Sequence, residues 1–545
     1  MRTTLLRSGK VIDGTGNLAF DGHILIEGDR IKAVLKEKET LPSADTVINA
    51  TGYAITPGFI DVHSHMDWML PLDNHPKLLK CLLEQGITTL VGGNCGFSPA
   101  PLRMGESRLE HSFAVFAPAI QGRTNWNWHS MGEFLQRIEE IKPIVNLAQL
   151  VGHATIRIGA AETERGTMKP GELQNCLEKL QQSLEEGACG LSFGLGYDPG
   201  MFSQKEEIET FSAVAAKARK PIAVHLKAYS RLSPFYPLTY LKPHNLLALK
   251  EMIDTARRTR VALQVSHFMV AYRRTWPMAE ECLRIIEDAR NEGIDIMIDA
   301  FPYTYGNTTV VAALLPWFIA KLPEAYENRW ARTMIRIEYM AGPPLTGWSP
   351  NHMQLMDAGV EGWEDLSGLT IGEIAHKWKT SSSDVLLKLS KSSQGRAAIL
   401  YHGLSGEPSN EKPLDTILSH DLCLFETDTL IRGGGYPNPA TFGAFPKILG
   451  YHVRERKLFS IENAIKRMTS ASADRFALRD RGRLEPGKAA DIVIFDPQSI
   501  SETPAIGRQP AGKPVGIHHV FLNGVHVVKD GTYVSVERAG RVLRI

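Results

Sequence analysis

Charge of one sign and long apolar segments are both lacking in this sequence. Its 545 residues include 61 Lys and Arg and 60 Asp and Glu, which gives a formal net charge of +1. Such a balance gives no reason to expect nucleic acid or an acidic surface as a partner. No apolar run is long enough to span a bilayer, and residues 1–10 lack the apolar core and cleavage site of a signal peptide. We therefore expect a cytoplasmic protein with no membrane partner.

Cysteine is scarce and shows no short paired spacing, which in a chain of this length predicts reduced thiols rather than a disulfide framework. Hydrophobic residues make up 43% and charged residues 22% of the sequence, as in ordinary globular proteins. The length predicts a large core and more than one domain. The six cysteines are Cys81, Cys95, Cys176, Cys189, Cys282 and Cys423.

Both ends of the chain contain short apolar runs separated by Gly-containing turns, for example in residues 22–29 and 520–525. This pattern predicts β-strands. Each end alone is too small to enclose a core. We therefore predict that residues 1–55 and 476–545 pair into one small β-sandwich domain, with the middle of the chain inserted into it.

The middle of the chain, residues 56–475, alternates short apolar strands with helical stretches. Apolar runs buried on both faces and repeated about eight times predict a (β/α)8 TIM barrel, in the α/β class, rather than an open sheet. Residues at about 317–393 break this rhythm with Gly, Pro and charged helical pieces, which predicts a lid inserted into the barrel.

The segment 56–65, TPGFIDVHSH, is a strand-like run that ends in two histidines. Because side chains alternate faces along a strand, His63 and His65 project in the same direction. Imidazole is the commonest metal ligand among side chains, so this pair indicates a metal site. Taken alone, the pair could also be two polar residues at the start of a loop.

Chemistry in a barrel of this kind sits at the carboxyl ends of the strands, and further ligand-type residues stand there. Cys95 follows the second strand, His225 ends the fifth, His267 the sixth, and Asp428 the last. Each alone has a structural explanation, as a small buried thiol, a core histidine or a helix cap. Together they predict a metal site whose N, S and O ligands suit Zn²⁺. The predicted ligands are His63, His65, Cys95, His225, His267 and Asp428.

These motifs resemble the amidohydrolase superfamily and, within it, the D-aminoacylase (N-acyl-D-amino-acid deacylase) branch. The similarity extends over nearly the whole chain, and the segment around Asn94, Cys95 and Gly96 is specific to the branch. The segments that carry it are 57–65, 93–101, 152–155, 264–267, 299–303, 468–473 and 481–491.

The resemblance implies how the ligands divide between metals. Many amidohydrolases bridge two metals with a carboxylated lysine on the fourth strand, but residues 190–197 contain no lysine. The D-aminoacylase branch uses a cysteine of the second strand instead, and Cys95 matches it. By resemblance, Cys95, His225 and His267 form the tighter site, and His63 with His65 a second one. The number of zinc ions, one or two, stays open.

By the same resemblance, zinc activates water, and Asp428 acts as general base and then as general acid. The expected reaction is hydrolysis of a linear amide bond of an N-acyl amino acid or a related small molecule. The alternative is hydrolysis of a cyclic amide, carbamate or urea without a free carboxylate. A metal-free scaffold is disfavoured, since none of the six ligands is missing. The sequence leaves open the oligomeric state, a homo-oligomer included.

The sequence departs from the family at the groups that hold the substrate carboxylate, which are a tyrosine, a lysine and an arginine. Tyr197 matches the tyrosine. Met269 stands at the lysine position and Asn438 at the arginine position. Either another cation substitutes for them or the substrate lacks a free α-carboxylate, in keeping with the aromatic residues nearby. The candidate cations are Lys227, Arg273, Arg274 and Arg432.

Overall fold

The structure is a computed structural model that describes residues 2–101, 128–162, 165–237, 242–347, 349–431, 434–506, 509–535 and 537–545. In chain order the strands are β1 (Thr3–Val11), β2 (Phe20–Glu27), β3 (Arg30–Lys36), β4 (Thr46–Asn49), β5 (Ala54–Pro57), β6 (Phe59–Asp61), β7 (Ile87–Gly92), β8 (Asn146–Gly152), β9 (Gly190–Gly194), β10 (Ile222–His225), β11 (Leu263–Val265), β12 (Ile296–Ala300), β13 (Tyr305–Thr309), β14 (Met353–Asp357), β15 (Ala398–His402), β16 (Cys423–Phe425), β17 (Ile492–Phe495), β18 (Ser501–Thr503), β19 (Gly512–Val515), β20 (Ile517–Leu522), β21 (Val525–Lys529) and β22 (Thr532–Tyr533).

The described α-helices follow the same chain order. They are α1 (His75–Glu84), α2 (Met131–Ile141), α3 (His153–Ala160), α4 (Pro170–Glu185), α5 (Lys205–Lys217), α6 (His244–Thr259), α7 (Ala279–Asn291), α8 (Pro316–Ile319), α9 (Arg329–Thr346), α10 (Ile371–Trp378), α11 (Ser382–Ser392), α12 (Lys412–Leu418), α13 (Ala440–Lys447), α14 (Ile461–Met468) and α15 (Ser470–Arg475).

Eight parallel strands form the central barrel, which confirms the predicted fold class. The sheet runs in the order β16-β12-β11-β10-β9-β8-β7-β6. Strands such as β7 and β8 are buried along their whole length, as expected where helices cover the outer face. The barrel closes just beyond the first and last strands, where Asp428 N donates to His63 O and His65 N donates to Thr429 O, both at 3.0 Å.

A separate unit is inserted between the seventh barrel strand, β12, and the eighth, β16. It contains a three-stranded sheet in the order β13-β15-β14, together with helices α8 to α11. Its strands extend it to residues 305–402, a segment that includes the predicted lid at about 317–393. Buried residues such as Leu355, Ile374 and Ile399 give this inserted unit a core of its own.

Strands from both ends of the chain form one nine-stranded sheet in the order β22-β21-β20-β17-β5-β1-β2-β3, with β4 beside β1. The edge strand β3 returns to the segment before β17, since Ile31 N donates to Lys488 O at 2.9 Å and Gly487 N donates to Ile31 O at 2.8 Å. Its inward-facing residues, among them Ile24 and Ile494, pack into one core. Strands from the two ends thus share one sheet and one core, and the boundaries predicted for this domain, residues 1–55 and 476–545, stay a prediction.

None of the helices in the described ranges combines the length with the apolar character that crossing a bilayer requires.

Candidate metal centre and active site

The structure brings all six predicted ligands together at the carboxyl ends of the barrel strands. Five of them are placed by strands: His63 and His65 follow β6, Cys95 follows β7, and His225 ends β10, while His267 follows β11. The sixth, Asp428, lies three residues beyond β16. Five of the six are buried, and His225 is half-buried. Because every parallel strand directs its carboxyl end to the same rim, ligands far apart in sequence meet there.

Cys95 lies at the centre of the cluster. Its Sγ is 3.4 Å from His267 Nε2, 3.9 Å from His225 Nδ1 and 3.3 Å from His63 Nε2. The rings of His225 and His267 share a hydrogen bond of 2.8 Å between Nδ1 and Nε2. Among the six predicted ligands the possible donor atoms form two trios, each within 4.8 Å: Cys95 with His225 and His267, and Cys95 with His63 and His65. One thiol thus serves both groups.

Burial keeps two of the nitrogen ligands, His225 and His267, neutral. It is the main cause that lowers the pKa of His267 to about 4, although the nearby Asp428 charge opposes this shift. It also lowers the pKa of His225 well below its usual value, and neighbouring histidines lower it further. A neutral imidazole nitrogen offers the lone pair that a metal needs. Burial likewise raises the pKa of the Cys95 thiol, and the carboxylates of Asp428, Glu426 and Asp299 add to that rise. A thiolate at this position therefore requires a neighbouring cation.

The donor set fits zinc in chemistry, and its sulfur–nitrogen distances approach those of a zinc site, whereas His225 Nδ1 and His267 Nε2, 2.8 Å apart, are closer than two ligands of one ion. Ligand atoms in a tetrahedral zinc site, at about 2.0–2.3 Å from the ion, lie about 3.3–3.6 Å from one another. The Sγ of Cys95 meets that spacing with His63 at 3.3 Å and His267 at 3.4 Å, and His225 at 3.9 Å lies slightly beyond it. Soft sulfur combined with imidazole nitrogen is a donor set that selects zinc over magnesium or calcium.

Asp428 faces both the histidines and the open cavity. Its Oδ1 is 3.5 Å from His63 Nε2 and 3.5 Å from His65 Nε2. Burial raises the pKa of this carboxyl, but the hydrogen bond from His65 and the nearby His63 and His267 rings outweigh it, so the net shift is downward. Asp428 is therefore ionised near neutral pH and available to accept a proton.

Two buried carboxylates behind His63 were not assigned a role from sequence. Its Nδ1 is 3.5 Å from Asp299 Oδ1 and 3.8 Å from Glu426 Oε2, on the side of the ring opposite Nε2. Asp299 also accepts a 2.6 Å hydrogen bond from His267 N. A carboxylate in this position, such as Asp299, orients an imidazole ligand and raises its basicity, whereas burial and the neighbouring acidic groups raise the pKa of Glu426 well above its usual value. In the sequence, the signal that could have identified these two residues is an acidic residue at the end of an apolar strand of the barrel.

The turn that carries Cys95 has an unusual backbone held by Ser192 of β9. Cys95 has a φ of +53°, and Gly93 has a φ of +76°, where a Cβ would collide with the Leu150 carbonyl oxygen. Ser192 Oγ donates to Gly93 O and accepts a 3.0 Å hydrogen bond from Gly96 N. One hydroxyl of β9 thus holds the turn on both sides of the cysteine.

Ser192→Ala is expected to loosen the Cys95 turn and weaken zinc binding by about 10–100-fold, the usual cost of losing a group that orients a metal ligand. The zinc dissociation constant should be measured by competition with a chromophoric chelator, and excess zinc should restore activity. Ser212→Ala, at another buried serine on α5, is the control and should leave zinc affinity unchanged. Unchanged affinity in Ser192→Ala would contradict the positioning role.

A cavity of about 610 Å³ opens onto the ligand cluster. Its inner wall includes His65, Cys95 and Asp428, and its outer wall comes from the inserted unit together with loops of the barrel. The volume lies within the range of about 300–1,000 Å³ typical of small-molecule sites. A substrate in this cavity would therefore lie between the metal ligands and the inserted unit.

The predicted substrate-binding residues divide around this cavity. Tyr197 lines it, with its ring centroid 4.3 Å from that of His225. Met269 is half-buried and packs against the main hydrophobic core, outside the lining. Lys227 places Nζ 5.2 Å from the centre of the Tyr236 ring, also outside the lining.

Asn438 is buried and makes two hydrogen bonds within the protein. Its Oδ1 accepts a 3.1 Å hydrogen bond from Ala440 N at the start of α13, and its Nδ2 donates to Asn307 Oδ1 at 2.8 Å. Asn307 in turn lines the cavity. Of the cations considered as substitutes, Arg273 pairs with Glu407 at 2.7 Å, and Arg432 lies outside the described residues.

Comparison with known proteins finds matches over almost the whole chain. A family model described as "Amidohydrolase family" matches residues 46–334 and 398–534. The N-acyl-D-glutamate deacylase of Alcaligenes xylosoxydans xylosoxydans is 29% identical over 542 residues, covering 99% of this chain and 96% of that protein. The N-acyl-D-glutamate deacylase of Bordetella bronchiseptica, solved with zinc and a phosphonate inhibitor that mimics the tetrahedral intermediate, is 27% identical, with a TM-score of 0.80 and 99% of each chain covered. A D-aminoacylase structure described by its binuclear metal centre has a TM-score of 0.81 at 27% identity, again over 99% of each chain.

Proposed function

Since this chain belongs to the amidohydrolase family, we propose that it is a zinc-dependent hydrolase of the linear amide bond in an N-acyl amino acid or a related compound. The observation that carries this proposal is the cluster around Cys95, in which one thiol joins two groups of histidines beside the carboxylate of Asp428. The relatives support the substrate class, because they act on N-acyl-D-amino acids and match at full length.

Zinc would be held most tightly by Cys95, His225 and His267, with His63 and His65 available to a second ion. Bound there, zinc supplies Lewis acidity, which polarises a carbonyl and lowers the pKa of water. The chain itself supplies the proton transfer. Asp428 Oδ1 or Oδ2 accepts the proton of the attacking water as the new C–O bond forms, and donates it to the amide nitrogen as the C–N bond breaks.

Tyr197 is positioned to hold the substrate beside this carboxylate. Burial raises the pKa of its phenol well above the usual value, and the nearby Cys95 and Asp428 charges raise it further. The hydroxyl therefore remains protonated and can donate a hydrogen bond to a substrate oxygen.

The substrate class can be tested with purified enzyme and a panel of amides. We expect zinc-loaded protein to hydrolyse N-acyl-D-amino acids, and treatment with a chelator to remove this activity until zinc is restored. The panel includes the L-enantiomers, the corresponding carboxamides, and cyclic imides and ureas. Hydrolysis restricted to the cyclic compounds would replace the linear-amide assignment with the alternative one, and inactivity on all amides at full zinc loading would contradict both.

We also infer a cytoplasmic location for the protein. All six cysteines are buried free thiols in the structure. Cysteines in this state are typical of a reducing compartment.

A further inference from the structure

The cavity beside the metal ligands extends far beyond the reacting bond. From Cys95 and Asp428 it continues to the segments around Asn307, Ile319 and Lys391, all in the inserted unit. An acetyl group and an amide occupy only a small part of about 610 Å³. The outer part of the cavity is therefore available to a substituent of the substrate.

The wall of this outer part is mainly apolar. Residues from the barrel loops and from the inserted unit face each other across it, so the apolar surface is continuous between the two. Apolar side chains in such a wall bind hydrocarbon by removing it from water, without fixing its orientation through hydrogen bonds. These side chains are Phe97, Met201, Val311, Ala312, Ile319, Leu322, Tyr326 and Leu430.

The cations in the described lining are each neutralised by a carboxylate. Arg165 Nη2 is 2.6 Å from Asp198 Oδ2, and Arg165 Nε contacts both carboxylate oxygens at 3.1 and 3.2 Å. Lys391 Nζ is 2.5 Å from Glu327 Oε1. A substrate carboxylate in the outer cavity would meet cations that already have a carboxylate partner, whereas an uncharged group would leave both pairs undisturbed.

We propose that the outer cavity binds a long, uncharged apolar substituent of the amide, an alkyl chain or an aryl group on one side of the scissile bond. This inference rests on the proposed amide hydrolysis and adds the class of substrate to it. The substrate is thus an amide with a large hydrocarbon group, such as a long-chain N-acyl amino acid. Each methylene group that enters the cavity should raise kcat/KM by about fourfold, the Boltzmann factor of burying one CH2.

A chain-length series tests the inference. One set of substrates extends the acyl group from acetyl to decanoyl on a fixed amino acid, and a second set extends the amine side with acetyl fixed. We expect kcat/KM to rise with length in one of the sets, by at least about 100-fold between its ends. Hydrolysis of the acetyl compound with no rise in either set would overturn the inference and leave the proposed function standing. Inactivity on every member would overturn both.

A variant with a larger side chain in the cavity wall tests the same inference. Ala312→Trp narrows the outer wall, so the ratio of kcat/KM for the longest to the shortest substrate should fall at least about tenfold. Ala341→Trp, at an exposed alanine of α9 outside the lining, is the control and should keep the ratio of the unaltered protein. If Ala312→Trp does not fold, competitive inhibition of the unaltered enzyme by octanol but not ethanol provides the second measurement. Equal inhibition by the two alcohols, or an unchanged ratio in Ala312→Trp, would overturn the inference.

Discussion

Asp428→Asn is expected to lower kcat for amide hydrolysis by at least about 10²–10⁴-fold, the usual contribution of general acid–base catalysis. The amide of asparagine keeps the size of the side chain but cannot accept the proton of the attacking water. The Oδ1 of Asp428 lies 3.5 Å from both His63 Nε2 and His65 Nε2, while Cys95, His225 and His267 form a complete trio without it. Much of the zinc should therefore remain bound.

The measurement for this variant is the rate in single turnover together with the zinc content of the same sample. Asp421→Asn, an exposed aspartate at the opposite end of β16, is the matched control and should have normal activity. Near-normal turnover in Asp428→Asn would contradict its role in proton transfer. Loss of all zinc along with activity would make Asp428 a primary ligand instead.

Cys95→Ser is expected to have the second-largest effect, through the metal rather than through the proton. A serine hydroxyl is not an anion near neutral pH and is a harder donor than a thiolate, so it binds zinc poorly. Since Cys95 Sγ belongs to both trios, both metal positions should weaken. Loss of a group that only orients a metal ligand lowers zinc affinity by about 10–100-fold. We expect loss of the Cys95 thiol to lower it by more than this, with a parallel fall in kcat/KM.

The control for this variant is Cys81→Ser, at a buried cysteine of α1 away from the ligand cluster. This variant should keep its zinc, because it makes the same change of sulfur to oxygen at a residue that is not a metal ligand. Zinc affinity is read from competition with a chelator at constant pH. Equal zinc affinity for Cys95→Ser and Cys81→Ser would show that the thiol at position 95 is not a ligand.

The sequence predicts the barrel and the position of the ligand cluster because both follow from local periodicity. The apolar run in the segment 56–65 places His63 and His65 at the barrel rim, because parallel strands bring their carboxyl ends to one rim. The predicted strand itself is shorter, since β6 ends at Asp61 and both histidines lie beyond it. Cys95, His225, His267 and Asp428 each follow or end an apolar run of barrel type. Such a pattern can be read one strand at a time, without knowledge of long-range packing.

The environment of the cluster could not be read in this way, because it depends on contacts between distant segments. Ser192 supports the Cys95 turn from β9, about a hundred residues away in sequence. Asp299 and Glu426 meet behind His63 only when the barrel closes. The shape of the cavity depends on how residues 305–402 dock over the barrel.

Contacts between distant segments also explain why only some of the predicted substrate-binding residues line the cavity. Tyr197 lies just after the barrel strand β9, and this position in the sequence is enough to place it in the lining of the cavity. Asn438 instead accepts a hydrogen bond from Ala440 N at the start of α13 and donates one to Asn307 of the inserted unit, contacts that depend on the helix start and on long-range docking. Alignment with a family pattern gives the position of such a residue but not its new partners.

The central claim is that zinc binds at the carboxyl rim of the barrel through Cys95 and the histidines. Its most direct test is an anomalous difference map from crystals of the active enzyme, measured at the zinc absorption edge. We predict a peak bounded by Cys95 Sγ, His225 Nδ1 and His267 Nε2, with any second peak beside His63 and His65. Fully active enzyme whose crystals show no peak between these atoms would contradict the account.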